Sequence, residues 1–552
     1  MADKFQDPES LTEHLLDLFQ FSPTPHQYRA FHQFAFYYLA QRHKCAFILK
    51  GSAGTGKTTL LSTLVKFFLS QKRPVITLAP TGRAAKVISR KTKRSAWTLH
   101  RHIYTALESP TGVKFVLAEN EDNQGTVYLV DEASMIGDGE GGQPRVLEDI
   151  FSFIWSRDPS SILVLSGDDA QLPPVGSGIS PALDETYLKK QLGVHVFMAQ
   201  LSEVKRQALT SGIYLNASKL RRVLKNNLPS LRIHPNPQDL IQVETRWEAL
   251  EIFNSRFDPA QPDQMVVVTF SNAMALQFNQ AYRAQAFEGE ANPRPGDRIM
   301  IVKNNYQIQA EGITFLANGE TGYIRKIYPE TMESKYGLDW MDIELELENR
   351  KGELIEIKVK IILDLLRIAT PSLPYDKIRY VMECRKKEPR KAGEKDPYLA
   401  ALQVKYAYAI TGHKAQGGQW EEVMVIFEPL YPNVTLQDYF RWAYTAITRA
   451  ERKVYLVDCP FLGEELPEIC YRDDFQWLPE KIEDNSIYSS EEKEHLLQHG
   501  KNLIALLNGL IPANTTSRQQ LIQVINKEKE PTEIQEIALL KYIEQLDSAS
   551  KK

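Results

Sequence analysis

Residues 48 to 61 read ILKGSAGTGKTTLL, an apolar run that meets a glycine-rich turn and then a helix-forming run. Gly51, Gly56, Lys57 and Thr58 satisfy the pattern GxxxxGK[ST] in full, in the strand, loop and helix context that its mechanism requires. From Gly51 through Ser52, Ala53, Gly54, Thr55 and Gly56 the backbone is free to turn its N–H groups toward nucleotide phosphates. The helix N-terminus at Lys57, Thr58 and Thr59 adds positive potential, Lys57 reaches the β and γ phosphates, and Thr58 is suited to ligate Mg²⁺. ATP and Mg²⁺ are therefore the expected cofactors.

Working outward, CAFILKG is a buried strand, TTLLSTLVKFFLSQ a helix and PVITLAP a second strand. TVYLVDEASM and SSILVLSGDD add two more strands that end in acids. This alternation predicts a parallel α/β sheet with its ligand at the carboxyl ends of the strands. A lone Asp-Glu pair is usually a solvated turn, but here Asp131 and Glu132 follow a phosphate loop at a strand end. Asp131 would hold the metal and Glu132 would activate the attacking water. Gln171, just past the next strand, carries an uncharged amide able to sense the γ-phosphate.

A second α/β pattern begins near DQMVVVTFSNAMALQFNQAYR and resumes at VKYAYAITGHKAQGGQWEEVMVIF and RKVYLVD. Between them, from about 297 to 400, GDRIMIVKN, ETGYIRKIYP and DIELELENRKGELIEIKVKII alternate as antiparallel strands, which predicts a small inserted β-barrel. YTALESPTGVKFVLAENEDNQG reads as an inserted hairpin subdomain, and residues 11 to 43 as two helices broken at SPTP. Beyond about 480 the chain is polar and helical, with capping boxes at Ser517 with Gln520 and Thr532 with Gln535.

At 552 residues the chain exceeds a single core, which predicts two large domains with insertions. Hydrophobic residues at 43% and charged residues at 25% exclude a disordered or fibrous chain. A net charge of −4 means that any nucleic-acid contact comes from a local groove. Cys45, Cys384, Cys459 and Cys470 form no CxxC and read as reduced structural thiols. The N-terminus has no signal-peptide core and no stretch reaches roughly 18 apolar residues, so a soluble cytoplasmic protein is expected.

Taken in order, PTPHQ, GSAGTGKT, LAPTGRAAKVIS, TLH, VDEAS, GDDAQLPPV, LSEVKRQ, YAITGHKAQGGQ and YTAITRA resemble the motifs of superfamily 1 helicases, group 1B, of the RecD/Dda type, across most of residues 24 to 458. The resemblance implies two RecA-like P-loop NTPase domains in tandem, a small inserted hairpin subdomain and an inserted SH3-like β-barrel. The implied division is 1–200 for the first motor domain with its hairpin at about 103–126, 201–296 and 401–475 for the second, 297–400 for the barrel, and 480–552 for a helical tail.

It further implies an ATP-dependent DNA helicase moving 5′-to-3′, with Gln27 reading adenine and Arg206 and Arg449 acting as arginine fingers from the second domain. Single-stranded DNA would cross both domains at Pro80, Thr81, Thr98, His100, Thr411 and His413, gripped through its backbone as a sequence-independent motor needs. Thr81 is equally placed to cap the helix that starts GRAAKVIS, and His100 also fits a core position. Ala415 and Gln419 stand where the family often has Ser and Glu, and the run GDGEGGQPR at 137–145 has no assigned role. The implied partners are single-stranded DNA and duplex junctions, bound by a monomeric motor, with the tail as a possible protein-binding segment. RNA unwinding, or DNA-stimulated remodelling without strand separation, are the alternative readings. A small-molecule kinase would not need the second α/β domain.

Overall fold

The structure, a computed structural model, describes residue 5 and residues 7–40, 43–109, 112–138, 145–203, 211–226, 232–261, 263–287, 292–308, 316–349, 353–388, 396–432 and 434–461. Arg206, the expected helical tail at 480–552 with its capping boxes, and most of the glycine-rich run 137–145 lie outside these residues.

The strand that feeds the glycine-rich loop, β1 (Cys45–Gly51), is buried on both faces, as a central parallel strand under helices must be. Then come β2 (Val75–Ala79), β3 (Ala96–Thr98), the antiparallel hairpin β4 (Tyr104–Ser109) and β5 (Gly112–Leu117), β6 (Val127–Val130), β7 (Ile162–Gly167) and β8 (His195–Leu201). The first sheet runs β3-β2-β6-β7-β1-β8 with every pair parallel. Alternation along β1 divides two cores: Phe47 and Leu49 meet Phe34, Phe67 and Phe68 on one face. Ala46 and Ile48 meet Ile150 and Ile154 on the other.

The chain continues through β9 (Leu240–Val243) and β10 (Met265–Thr269) into β11 (Arg298–Ile301), β12 (Thr321–Lys335), β13 (Leu338–Glu348), β14 (Leu354–Ile362) and β15 (Val404–Tyr406). These last five form one antiparallel sheet, β14-β13-β12-β11-β15. Along β13, Met341, Ile343, Leu345 and Leu347 are buried in one core and Asp342, Glu344 and Glu346 between them are only half-buried, the period of two that the sequence carries, while Leu338 and Trp340 are buried in a second core on the other face. The sheet curls until its edges touch, with Leu402 N–H donating to Lys360 O at 2.8 Å and Ile362 N–H to Leu402 O at 3.3 Å. The chain then returns as β16 (Ala409–Thr411), β17 (Trp420–Ile426) and β18 (Ala450–Val457), giving a second all-parallel sheet, β16-β10-β17-β18-β9.

Entry to and exit from the antiparallel sheet are tied at one buried polar knot. The Tyr408 hydroxyl donates to Asp297 at 3.1 Å and accepts from Arg298 N–H at 3.0 Å, while Arg283 pairs with Asp297 at 2.8 and 2.9 Å. The buried Asn279 amide donates to Tyr406 O (3.3 Å) and Ala409 O (2.9 Å) and accepts from Tyr408 N–H (3.1 Å) and Ala409 N–H (2.8 Å). Asn279→Ala strands those four backbone groups and is expected to destabilise the protein by about 3 kcal/mol. A urea midpoint unchanged from wild type would contradict this.

Candidate nucleotide site and interdomain cleft

Gly54 and Gly56 hold φ of 79° and 91°, the left-handed region that glycine enters without strain. A Cβ at Gly56 would also lie 2.7 Å from Gln27 Nε2. Within the loop the Lys57 ammonium donates to Gly51 O at 2.8 Å and Ser52 O at 3.1 Å. Gln27 is buried behind it: its Nε2 donates to Thr55 O at 2.9 Å and its Oε1 accepts from Thr24 N–H at 3.0 Å. The carboxamide thus braces the loop and keeps one N–H and one lone pair for a further partner.

Because β7 lies beside β1, and β6 beside β7, the acids at their ends face the loop. Asp131 is buried, with Thr58 Oγ1 3.4 Å from its Oδ2 and Ser166 Oγ donating to its Oδ1 at 3.0 Å. Glu132 sits at φ 53°, an uncommon conformation for a residue with a side chain. Its Oε2 is buried without a hydrogen-bond partner. Burial raises its pKa above the ordinary carboxylate value, and the Arg449 charge opposes that rise.

Arg449 therefore acts across the cleft from the second domain. It is buried and aimed by three bonds, Nε to Thr445 O (3.0 Å), Nη1 to Gly418 O (3.3 Å) and Nη2 to Thr448 Oγ1 (3.2 Å). Gln171 is buried as well, and its Oε1 has no partner. A cavity of about 460 Å³ opens beside the phosphate loop between the two domains, lined by Ser52, Ala53, Arg29, Tyr214, Arg221 and Tyr444 among others.

The six strand-contact candidates lie at carboxyl ends of strands in both sheets. Pro80 and Thr81 follow β2, Thr98 ends its neighbour β3 and is paired in register with Ala79, and His100 lies just beyond. Thr411 ends β16, and His413 lies just beyond it. Across the cleft, a Cβ on Gly417 would be 3.3 Å from Thr81 Oγ1, so the 412–418 loop reaches the first domain. The Thr81 hydroxyl caps the helix Gly82–Thr92 by accepting from Ala84 N–H at 3.2 Å. Thr98 Oγ1 is buried with no partner. His100 is half-buried, its ring 5.6 Å from Tyr104, and burial lowers its pKa. Ala415 is fully buried in the second core, whereas Gln419 is exposed.

Sequence reasoning missed Arg221, Tyr444 and the use made of Asp168. Tyr444 sits within the quoted YTAITRA, three residues after Arg441 and five before Arg449, but only the fold shows that it faces Asp168. Cys45 and Cys459 are buried and Cys384 is half-buried, and among the described residues no helix is long and apolar enough to cross a membrane.

Two family signatures match the chain: the AAA domain over residues 25–223 and the UvrD-like helicase C-terminal domain over 406–457. The ATP-dependent RecD2 DNA helicase of Deinococcus radiodurans is 24% identical over 421 residues, 74% of this chain and 46% of the relative. An uncharacterized protein of Methanocaldococcus jannaschii is 22% identical over 448 residues, 74% of this chain and 36% of that one. The chain thus spans less than half the length of these curated relatives. Among solved structures, Pif1 helicase from Bacteroides in complex with ADP-AlF3 and ssDNA aligns at 15% identity over 78% of this chain and 94% of that one, with a TM-score of 0.42. Pif1 helicase from Candida albicans aligns at 15% identity over 85% and 98%, with a TM-score of 0.37. With the AAA signature over the phosphate-loop region and the UvrD-like helicase signature over the region that carries Arg449, the chain is similar to superfamily 1 helicases of the RecD type.

Proposed function

We propose that this protein is an ATP-dependent DNA helicase that translocates 5′-to-3′ on single-stranded DNA and separates the duplex ahead of it. The observation that carries the reading is the convergence on one cleft of a phosphate loop and Glu132 from the first domain with Arg449 from the second. A site divided in this way turns over only when its halves meet, so turnover opens and closes the cleft. The direction rests on the family resemblance.

In this reading Lys57 leaves the loop carbonyls for the β and γ phosphates, and Gln27 turns its remaining hydrogen-bonding capacity to the adenine. Glu132, buried and with an unpartnered oxygen, takes the proton from the attacking water. Arg449, and Arg206 as a second finger, neutralise charge on the transferring phosphoryl group. Gln171 senses the γ-phosphate. Thr58 and Asp131 suit Mg²⁺, because a hydroxyl and a carboxylate 3.4 Å apart supply the one or two protein ligands such an ion takes beside water and phosphate. When bound, the ion neutralises charge on the phosphates. Pro80, Thr81, Thr98 and His100 grip the strand on one side and Thr411 and His413 on the other, and alternating grip moves it by one nucleotide per cycle. The domain division is taken at the expected limits of 1–200, 201–296 with 401–475, and an insert at 297–400, except that the insert's sheet runs on past 400 through β15. The motor works as a monomer in the cytoplasm, with duplex junctions as its substrate and the tail available to a protein partner.

Unwinding of duplexes with a 5′ or a 3′ single-stranded tail, in DNA and in RNA, tests the function. Product from 5′-tailed DNA alone, abolished by Lys57→Ala, is expected. Product from RNA would move the substrate class, and strand-stimulated ATP turnover without any duplex product would replace the helicase by a remodeller.

The chemistry is tested separately by pH. A base must be deprotonated, so turnover falls as the pH drops through the raised Glu132 pKa, placing the acid limb above the ordinary glutamate value of about 4.3. Glu132→Gln is expected to lower kcat by about 10²- to 10⁴-fold. A variant that retained wild-type turnover, or an acid limb at the ordinary value, would remove Glu132 from the role.

A further inference from the structure

The loop from Asp168 to Leu172 belongs to the first domain by sequence and to the second by its bonds. Asp168 is wholly buried: its Oδ1 accepts from Arg221 Nη1 at 3.0 Å and from Ala170 N–H at 3.2 Å, and its Oδ2 accepts from the Tyr444 hydroxyl at 2.6 Å. The other arm of the Arg221 fork, Nη2, donates to Asp169 Oδ1 at 2.9 Å. Arg441 donates to Asp169 O at 2.9 Å, Thr445 Oγ1 accepts from Leu172 N–H at 2.9 Å, and Gln416 donates to Leu172 O at 2.7 Å. Every one of these grips comes from the second domain, apart from the local Ala170 bond. Between them lies Gln171, its side-chain oxygen buried and unbonded.

Both ends of this network reach the phosphate loop. The Tyr444 hydroxyl meets the backbone of Ala53, and Asp169 Oδ2 lies 3.5 Å from the Lys50 ammonium, one residue before Gly51. Resting on the nucleotide-driven reading above, we propose that Tyr444 and Arg221 are positioning residues: through Asp168 they hold Gln171 in the cleft and report occupancy of the phosphate loop to the helix Gly212–Lys225 of the second domain. The chemistry suits a relay. A bidentate guanidinium spans two consecutive carboxylates and fixes their relative orientation, which a point charge cannot do. A phosphate arriving at Ala53 competes for the backbone N–H that meets the Tyr444 hydroxyl, the same hydroxyl that donates to Asp168, and any shift of Tyr444 is felt by Arg221 in the same carboxylate.

Tyr444→Phe removes one hydroxyl and little volume, and Arg221→Met removes the fork while keeping a long apolar stem. Hydrogen exchange is measured on wild type and both variants, with and without a non-hydrolysable ATP analogue, beside kcat and KM for ATP on single-stranded DNA. In wild type the analogue is expected to protect residues 51–59 and the helix Gly212–Lys225 together. In both variants 51–59 remains protected while the helix loses at least half of its response. Their kcat is expected to fall about tenfold or more, the loss of one hydrogen bond to a buried charge, with KM within about threefold. A helix that responds as in wild type in either folded variant, or that never responds in wild type, overturns the relay. Wild-type turnover that no strand stimulates would instead overturn the motor reading, and the exchange arm would still decide the relay.

Discussion

A carboxylate with no access to water cannot remain charged without donors brought to it, and at Asp168 two of those donors come from the other domain. Arg221 and Tyr444 are 53 and 276 residues away in sequence. Separating the domains would leave Asp168 and Arg221 to find water, and bringing them together removes it. Such a contact favours two distinct arrangements of the cleft over a continuum, the property that the proposed nucleotide-driven motor needs.

A second set of contacts closes the far side of the same cleft. The helix Gly82–Thr92, which Thr81 caps, carries Arg83, Lys86 and Arg90 toward the second domain and the antiparallel sheet. Arg83 stacks over Trp420 at 3.8 Å and pairs with Asp263 at 2.9 Å. Lys86 donates to Glu348 O at 2.9 Å, and Arg90 pairs with the Glu348 carboxylate at 2.8 Å. Arg90 is largely exposed, so its ion pair adds little energy, whereas Arg83 is mostly buried against an aromatic face and holds more firmly. The strand-contact candidates lie beside this seam. Whatever displaces the seam also shifts Thr81 relative to the 412–418 segment, which would link the proposed grip on a strand to the state of the nucleotide side.

Local patterns in the sequence carried much of this. The phosphate loop, the acid-ended strands and the period-two segments of the insert are each fixed by interactions within a few residues, so their types could be read in order along the chain. The Asn279 knot and the Arg221–Asp168–Tyr444 network could not be read, because each joins residues more than 50 apart whose types are common on any surface. Thr81 shows the opposite difficulty. Its hydroxyl satisfies a purely local rule as a helix cap, and that rule accounts for its bond here whether or not a strand ever lies against it. The resemblance assigns Gln27 to the adenine, and nothing local in the sequence shows it as the brace behind Thr55.

Glu132 shows how closure and chemistry become one event. Its left-handed backbone and its unpartnered, buried oxygen are both costs, and both occur where the two domains meet. With the cleft closed, loss of water raises the carboxylate's proton affinity while Arg449 restrains the rise, leaving it a stronger base than an exposed glutamate. Opening the cleft hydrates Glu132 and withdraws Arg449 together. In the proposed mechanism basicity and the stabilising charge therefore vanish in the same movement, so an open enzyme would lose turnover without any separate switch, and the loop that carries Gln171 is bonded to the domain whose arrival would restore both.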